Sequence, residues 1–309
     1  MNARPLMVVV GPTAVGKTAV GVHLALCLTG EVVSADSRQI YRHMDIGTAK
    51  PTPEERARVP HHLLDVVAPD QTLTLAEYQE LAYAALRDIT ARGRLPLIVG
   101  GTGLYVRAVA EGWTIPRVPP NPALREVLQE RAEREGGAAL YAELRAVDPA
   151  AAARIDPRNV RRVIRALEVY HGSGRPFSEQ QRRQPPPYDL LWIGLTMPRA
   201  ELYRRADARI ERMVAAGWAD EVRDLLARGY GPELPAFSAL GYPEMAACVQ
   251  GRLSLEEAVA LIKRNTRSFI RHQYAWFRPQ DPRLHWFDMS EPRIDGIEAL
   301  ARSFLESRM

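Results

Sequence analysis

The sequence predicts an α/β protein: a phosphate-loop (P-loop) parallel sheet flanked by helices and carrying a helical insertion. Three observations support this. Apolar runs bounded by turn residues recur at 6–10, 31–35, 62–67, 95–99 and 190–196, with helical patterns between most of them. The first run, LMVVV, passes directly into GPTAVGKT at 11–18, which fits G-x-x-x-x-G-K-[ST]. Between the fourth and fifth runs the alternation gives way to helical periodicity at 123–135, 138–146 and 157–171.

Prolines bracket that break. Pro116, Pro119, Pro120 and Pro122 stand at its start and Pro185, Pro186 and Pro187 at its end, as in hinge-like connections. The chain therefore divides into a first part of the catalytic core at 1–114, an insertion at 115–189 and a second part of the core at 190–309. The region after the last run reads as mostly helical and basic.

The bulk numbers narrow the class. A chain of 309 residues, 46% hydrophobic and 25% charged, is ordinary for a globular protein able to bury a large core. No apolar stretch approaches the roughly 20 residues of a membrane span, and the first apolar run enters the phosphate loop instead of a cleavage site. A cytoplasmic protein without membrane contact is expected. Cys27 and Cys248 match no metal-binding spacing and read as reduced thiols. The net charge is +4, with three lysines (Lys17, Lys50, Lys263) against 38 arginines. Codon usage in a GC-rich genome is the plain reading of that total and phosphate or base recognition the functional one; the clustering of the arginines carries the information, since guanidinium groups make planar phosphate contacts and stack on bases.

The phosphate loop is the strongest signal. Its backbone N–H groups would wrap phosphate oxygens at a helix N-terminus, Lys17 would neutralise them and Thr18 would hold a Mg²⁺ ion. Thr13 adds a hydroxyl that either meets a phosphate or acceptor, or caps the helix. In SADSRQIY (34–41), Asp36 stands at the end of the second strand. A carboxylate facing a phosphate site can act as general base, or Asp36 can merely cap a turn. The LPLIVGG strand ends in glycines where a nucleoside triphosphatase places its Mg²⁺-holding acid. GGTGLY (100–105) lacks the third glycine of a dinucleotide site; its glycines serve a ligand's close approach or a tight turn. HHLLD (61–65) has no matching ligand cluster and reads as core or turn.

Two helices carry basic residues at helical spacing. Asp156-Pro157 is expected to open the first, with Arg158, Arg161, Arg162 and Arg165 on it. Ser254 and Glu257 form a capping box for the second, predicted over 254–278, where Lys263, Arg267 and Arg271 lead into His272, Gln273, Trp276, Phe277 and Arg278. Such stripes suit phosphate tracking with base stacking, or a solvated charged face. Arg205 and Arg209, four apart, would clamp phosphates or pair with Glu201 or Asp207.

With these pieces in order the chain resembles the tRNA dimethylallyltransferases (tRNA isopentenyltransferases). The resemblance runs through GPTAVGKT, SADSRQIYRHMDIGTAKP, PHHLLDVV, RLPLIVGGTGLYVRAVAEG, DPAAAARIDPRNVRRVIRALEVYHGSG, LYRRADARIERM, ALGYPE and TRSFIRHQYAWFR, nearly the whole chain. It implies transfer of the dimethylallyl group from dimethylallyl diphosphate to N6 of the adenine adjacent to the anticodon in tRNA, releasing pyrophosphate. Asp36 matches the family's base; Thr13 and Arg209 match residues at the pyrophosphate. Gly11, Pro12, Thr13, Ala14, Val15, Gly16, Lys17 and Thr18 would bind the diphosphate, with Mg²⁺ at Thr18. Positions matching tRNA contacts are Asp36, Ser37, Arg38, Gln39, Thr102, Arg125, Arg161, Arg162, Arg165, Ser238 to Pro243, Arg271, Gln273, Trp276 and Arg278. The partner implied is the tRNA anticodon stem-loop, bound by a monomer. The family's KRQ.TWFR stands here with His272 for an arginine and Ala275 for a threonine, which alters charge near the RNA. Other readings are a small-molecule kinase, an isopentenyltransferase of free adenine nucleotides, and a non-catalytic nucleotide-gated RNA-binding module.

Overall fold

Five consecutive residues of the first strand, Leu6 to Val10, are fully buried. A strand covered on both faces is the mark of a parallel sheet sandwiched by helices. The structure, a computed structural model, describes residues 4–291 and 294–308. The chain separates into two compact units, Met1–Ala110 with Pro186–Met309, and Glu111–Pro185.

The first unit holds a six-stranded sheet. Its elements run β1 (Arg4–Val10), α1 (Lys17–Cys27), β2 (Gly30–Ser34), α2 (Pro53–Arg58), β3 (His61–His62), α3 (Leu75–Ala91), β4 (Leu95–Gly100) and α4 (Gly103–Ala110). The second unit contributes α5 (Pro122–Glu135), α6 (Gly137–Val147), α7 (Pro149–Ala152), α8 (Val160–Ser173) and α9 (Phe177–Gln180). The chain returns to the first with β5 (Tyr188–Thr196), α10 (Arg199–Ala215), α11 (Trp218–Ala227), α12 (Tyr242–Val249), α13 (Leu255–Gln273), β6 (Leu284–Asp288) and α14 (Ile294–Glu306). The strand order is β3-β2-β4-β1-β5-β6, and every pairing is parallel.

The pleat distributes the apolar run of β1 between two cores. Leu6, Val8 and Val10 join the layer containing α3, α4, α11 and α12. Met7 and Val9 join the layer containing α1, α10 and α14. A register slip of one residue would exchange the two sets. The insertion has its own core of Leu140, Leu144, Val163 and Leu167, and its ends are tied by an antiparallel bridge of Trp113 to Arg183.

Four expectations are corrected. The 62–67 run is a strand only at His61–His62, because Leu63 (φ 65) and Asp65 (φ 57) turn left-handed; Asp65 is held there by Lys50 Nζ at 2.6 Å and Arg56 at 2.9 Å. The tail after β5 is mostly helical, as expected, and adds one strand the periodicity did not mark, LHWFD, which forms the edge strand β6 beside β5. The helix expected from Asp156-Pro157 starts later, with Asn159 capping the Arg162 N–H; Asp156 instead holds Arg158. The helix expected to run to 278 stops at Gln273. The insertion's compact unit begins at Glu111 and ends at Pro185, four residues before the corresponding sequence boundaries.

Candidate functional site

The site lies at the carboxyl ends of β1, β2 and β4, where parallel sheets place their ligands. β1 runs out at Val10 into the phosphate loop, which closes on α1 at Lys17. Ala14 (φ 65) and Gly16 (φ 105) are left-handed, the backbone pattern that gathers successive N–H groups around an anion. A cavity of about 320 Å³ opens beside the loop, and Thr13, Lys17, Asp36 and Arg209 all line it.

Lys17 and Arg209 bring positive charge to the loop end of this cavity and Asp36 brings negative charge, while Arg38 also lines it. Lys17 Nζ donates to the Pro12 carbonyl at 2.8 Å. Burial lowers its ammonium to a pKa of about 8, with Asp36 opposing the shift and Arg209 adding to it. Arg209, from α10, donates to the Thr13 hydroxyl at 2.6 Å, and burial lowers its guanidinium below the usual arginine range. Its Nε is buried with no hydrogen-bond partner among the described residues. An unmade bond of that kind costs about 1–3 kcal/mol, which an anionic ligand would recover. Arg205 does not share this work: it points to Glu201 at 3.5 Å and the Met289 carbonyl at 3.3 Å.

Asp36 sits two residues past β2, and both readings of it hold. Its Oδ1 accepts the Arg38 N–H at 2.9 Å, capping a turn. Its other oxygen makes no hydrogen bond among the described residues, and the side chain lines the cavity. Thr102 fixes the same turn by accepting the Ser37 N–H at 3.0 Å. Arg38 reaches the Pro235 carbonyl at 3.2 Å. Gln39 is engaged internally, accepting from Ser34 Oγ at 3.1 Å and donating to the Thr48 and Ala49 carbonyls.

The glycines of GGTGLY answer to protein packing. A Cβ on Gly100 would stand 2.2 Å from the Ala35 carbonyl oxygen, and one on Gly103 would stand 2.4 Å from the Trp276 ring.

Gln273, which the resemblance places among the tRNA contacts, lines the cavity and is bonded within the protein. Its Oε1 accepts the Thr13 N–H at 2.8 Å and its Nε2 donates to the Gly101 carbonyl at 3.3 Å. It clamps the phosphate loop to the end of β4 from the C-terminus of α13. The basic stripe leading to it is also largely paired, with Lys263 on Glu211 at 2.6 Å and Arg267 on Asp207. Arg271, His272 and Arg278 are exposed, Trp276 lines the cavity and Phe277 is buried core.

In the insertion, the arginines divide by partner. Arg125 makes two 2.8 Å bonds to Glu168, which is only 1% exposed. Arg165 holds the same carboxylate at 2.5 Å and the Val118 carbonyl at 3.0 Å. Desolvation pushes the Glu168 pKa up, but its hydrogen bonds to Arg125, Asn121 and Arg165 outweigh it and hold the carboxyl below its ordinary range. Arg161 and Arg162 are exposed, and their side chains make no hydrogen bond or ion pair among the described residues.

Sequence reasoning missed the apolar half of the cavity and its support. Ile210, Met213, Trp218, Leu240 and Ile262 line that half. The MDIGTAK turn beside it is built on Glu221, which accepts the N–H groups of Asp45 (2.7 Å), Ile46 (2.6 Å) and Gly47 (3.1 Å) and the Tyr242 hydroxyl (2.7 Å). A Cβ on Gly47 would stand 2.2 Å from Trp218 Nε1. The sequence signals here were the MDIGTAKP stretch and positions 238–243, which carry the family resemblance without showing their packing.

A phosphate loop with two buried cations, an aspartate on the cavity wall and an apolar half therefore meet in one cavity. The family model for IPP transferase matches residues 39–280. A tRNA dimethylallyltransferase of Roseiflexus castenholzii is 61% identical over 304 residues, spanning 98% of this chain and 99% of the relative. The chain belongs to the tRNA dimethylallyltransferase family. The solved tRNA isopentenylpyrophosphate transferase of Bacillus halodurans is 42% identical, with a TM-score of 0.73 over 99% of this chain and 98% of that one. A eukaryotic dimethylallyltransferase acting on tRNA, 24% identical, shares the fold with a TM-score of 0.85 over 99% of this chain and 81% of that one. Among the described residues, no helix is long and apolar enough to cross a membrane.

Proposed function

We propose that this chain transfers a dimethylallyl group from dimethylallyl diphosphate to N6 of an adenine next to the anticodon of tRNA. The observation that supports it best is the division of one cavity into a cationic end at Thr13, Lys17 and Arg209 and an apolar end at Met213, Trp218 and Ile262, with Asp36 on its wall. A nucleoside triphosphate would use the first and leave the second unexplained.

In this reading the diphosphate lies on the phosphate loop and its five-carbon chain enters the apolar end. The adenine amine is conjugated with its ring and is a weak nucleophile. As its nitrogen attacks the C1 carbon of the donor, the C1–oxygen bond breaks and the electron pair leaves with pyrophosphate. The N6 proton passes to Asp36. Lys17 and the unpaired Nε edge of Arg209 stabilise charge developing on the leaving group. For its base to reach this wall the adenine must leave its stack. The exposed Arg161, Arg162, Arg271 and Arg278 supply cations for the RNA backbone.

Mg²⁺ fits this site as an ion that arrives with the diphosphate. Thr18 follows Lys17 at the start of α1, but it lines a small cavity with Ser34 and Gln39 and not the one shared by Lys17 and Arg209; among the described residues no cluster of three acidic, histidine or cysteine side chains lines the cleft. Hard oxygen donors with few protein carboxylates suit Mg²⁺ held mainly by phosphates and water. When bound, it would add positive charge to the leaving group. We propose a monomer acting in the cytoplasm.

The test is incubation with unmodified tRNA, Mg²⁺ and either labelled dimethylallyl diphosphate or γ-labelled ATP. Label should enter tRNA from the former only. Label entering from ATP alone would establish the kinase reading instead.

A further inference from the structure

On the face of the sheet opposite α3, two helices bring together three side chains that the proposed reaction does not use. His23 and Cys27 are four apart on α1, so they share one face of that helix. Glu298 comes from α14. The His23 Nε2 lies 2.8 Å from Glu298 Oε2 and 3.6 Å from Cys27 Sγ. All three donor atoms fall within 4.8 Å of one another, and all three residues are half-buried.

We propose that His23, Cys27 and Glu298 form a metal site of the Zn²⁺ class, a staple between α1 and α14. The geometry is close to what the ion requires. With Zn–S near 2.3 Å and Zn–N near 2.05 Å, tetrahedral angles put sulfur and nitrogen about 3.5 Å apart, and the observed separation is 3.6 Å. The nitrogen and carboxylate oxygen must open from 2.8 Å to about 3.4 Å, a movement within the reach of side-chain torsions. The donor set, one imidazole, one thiolate and one carboxylate oxygen, is that of a three-ligand zinc site with water in fourth place.

The surroundings support a site and not a chance meeting. Arg302 holds the other carboxylate oxygen, Oε1 of Glu298, at 2.7 Å. That leaves Oε2 for a monodentate bond and orients it, as outer-shell partners of metal ligands do. Arg302 also reaches the Cys27 carbonyl at 3.4 Å, linking the two helices beside the cluster. Binding would displace the thiol proton of Cys27 to solvent, with the neutral His23 ring keeping its one proton on Nδ1 so that Nε2 is free, and form bonds from S, N and O to the ion. No electron is transferred. The ion would act through structure, because α1 begins at Lys17 of the phosphate loop and α14 covers the far end of the same helix. The sequence scan missed the set because its third member is 271 positions from Cys27, and only folding places it there.

The test uses full-length protein freed of metal with a chelator and titrated with Co²⁺ and then Zn²⁺. One equivalent of Co²⁺ should give tetrahedral ligand-field bands and a thiolate-to-cobalt charge-transfer band, both discharged by Zn²⁺. Zn²⁺ at about a hundredfold excess over its Kd should raise the Tm by several degrees. Cys27→Ser should abolish the charge-transfer band and weaken affinity at least about tenfold, and His23→Ala should do likewise, while Cys248→Ser should change neither. Absent bands with an unchanged Tm in the parent protein would overturn the proposal. So would bands that persist in Cys27→Ser, since the ion would then sit elsewhere.

Discussion

Replacing Asp36 by Asn separates the base from the turn it caps. Oδ1 of Asp36 accepts the Arg38 N–H, and an asparagine oxygen can keep that bond, so the loop should hold its shape. The other position becomes an NH₂ group that donates and cannot take a proton. General-base assistance is worth about 10²- to 10⁴-fold, or roughly 2.7–5.4 kcal/mol at 1.36 kcal/mol per decade. A second effect follows from charge. Asp36 is the group that raises the Lys17 pKa against burial and Arg209, so its neutralisation should lower that pKa below about 8. Diphosphate binding needs the ammonium form. In the parent its affinity should therefore fall as pH rises through about 8, and in Asp36→Asn that fall should move to lower pH. Single-turnover rates with labelled donor and saturating tRNA, over a pH series, read the first effect; donor binding over the same series reads the second. A rate loss under tenfold would refute the assignment of Asp36 as base, and an unmoved pH limb would refute its coupling to Lys17.

Three further outcomes are expected. Gln273→Leu removes the acceptor for Thr13 N–H and should raise the donor KM about tenfold with tRNA KM nearly unchanged; a rise in tRNA KM instead would make Gln273 an RNA contact and not a loop clamp. Arg162→Ala should raise the tRNA KM and reduce the salt slope by about one, whereas Arg125→Ala should mainly destabilise the insertion by leaving Glu168 short of a partner; equal salt slopes in the two variants would contradict that division. The hydrogen bond from Arg92, with His62 adding, holds the Glu31 carboxyl down to about 2. Because its folded pKa lies below the ordinary value, its stabilisation is complete above pH about 4.5 and fades as pH falls toward 2. Urea melts of Glu31→Gln should thus converge on the parent in acid, and a constant difference across that range would exclude the linkage.

Much of this molecule is written in local pattern. The five buried residues of β1, the glycine-lysine-threonine of the loop and the capping box at Ser254 announce their elements directly. The failures share a cause: long-range contacts that override local preference. Val66 and Val67 look like strand residues, yet Asp65 is drawn out of line by Lys50 and Arg56. LHWFD is too short to announce itself and becomes a strand only because β5 offers an open edge. At the site, Asp36, Lys17 and Arg209 were legible as residue types, but the bond from Thr13 N–H to Gln273 became visible only once α13 was seen to end against the phosphate loop. Lys263 and Arg267 read as a nucleic-acid stripe until Glu211 and Asp207 arrive from α10.

The strand order has a consequence for how the chain is made. β1 pairs with β4 on one side and β5 on the other, and the whole insertion is synthesised between them. At elongation rates of about 5–20 residues per second, β1 waits roughly 4–17 s after β4 is complete before β5 emerges. During that interval a strand buried from Leu6 to Val10 in the finished sheet has one bare edge on the ribosome. The insertion, with its own core and its ends tied at Trp113 and Arg183, can fold within the pause and bring Gln184 back onto Gly112.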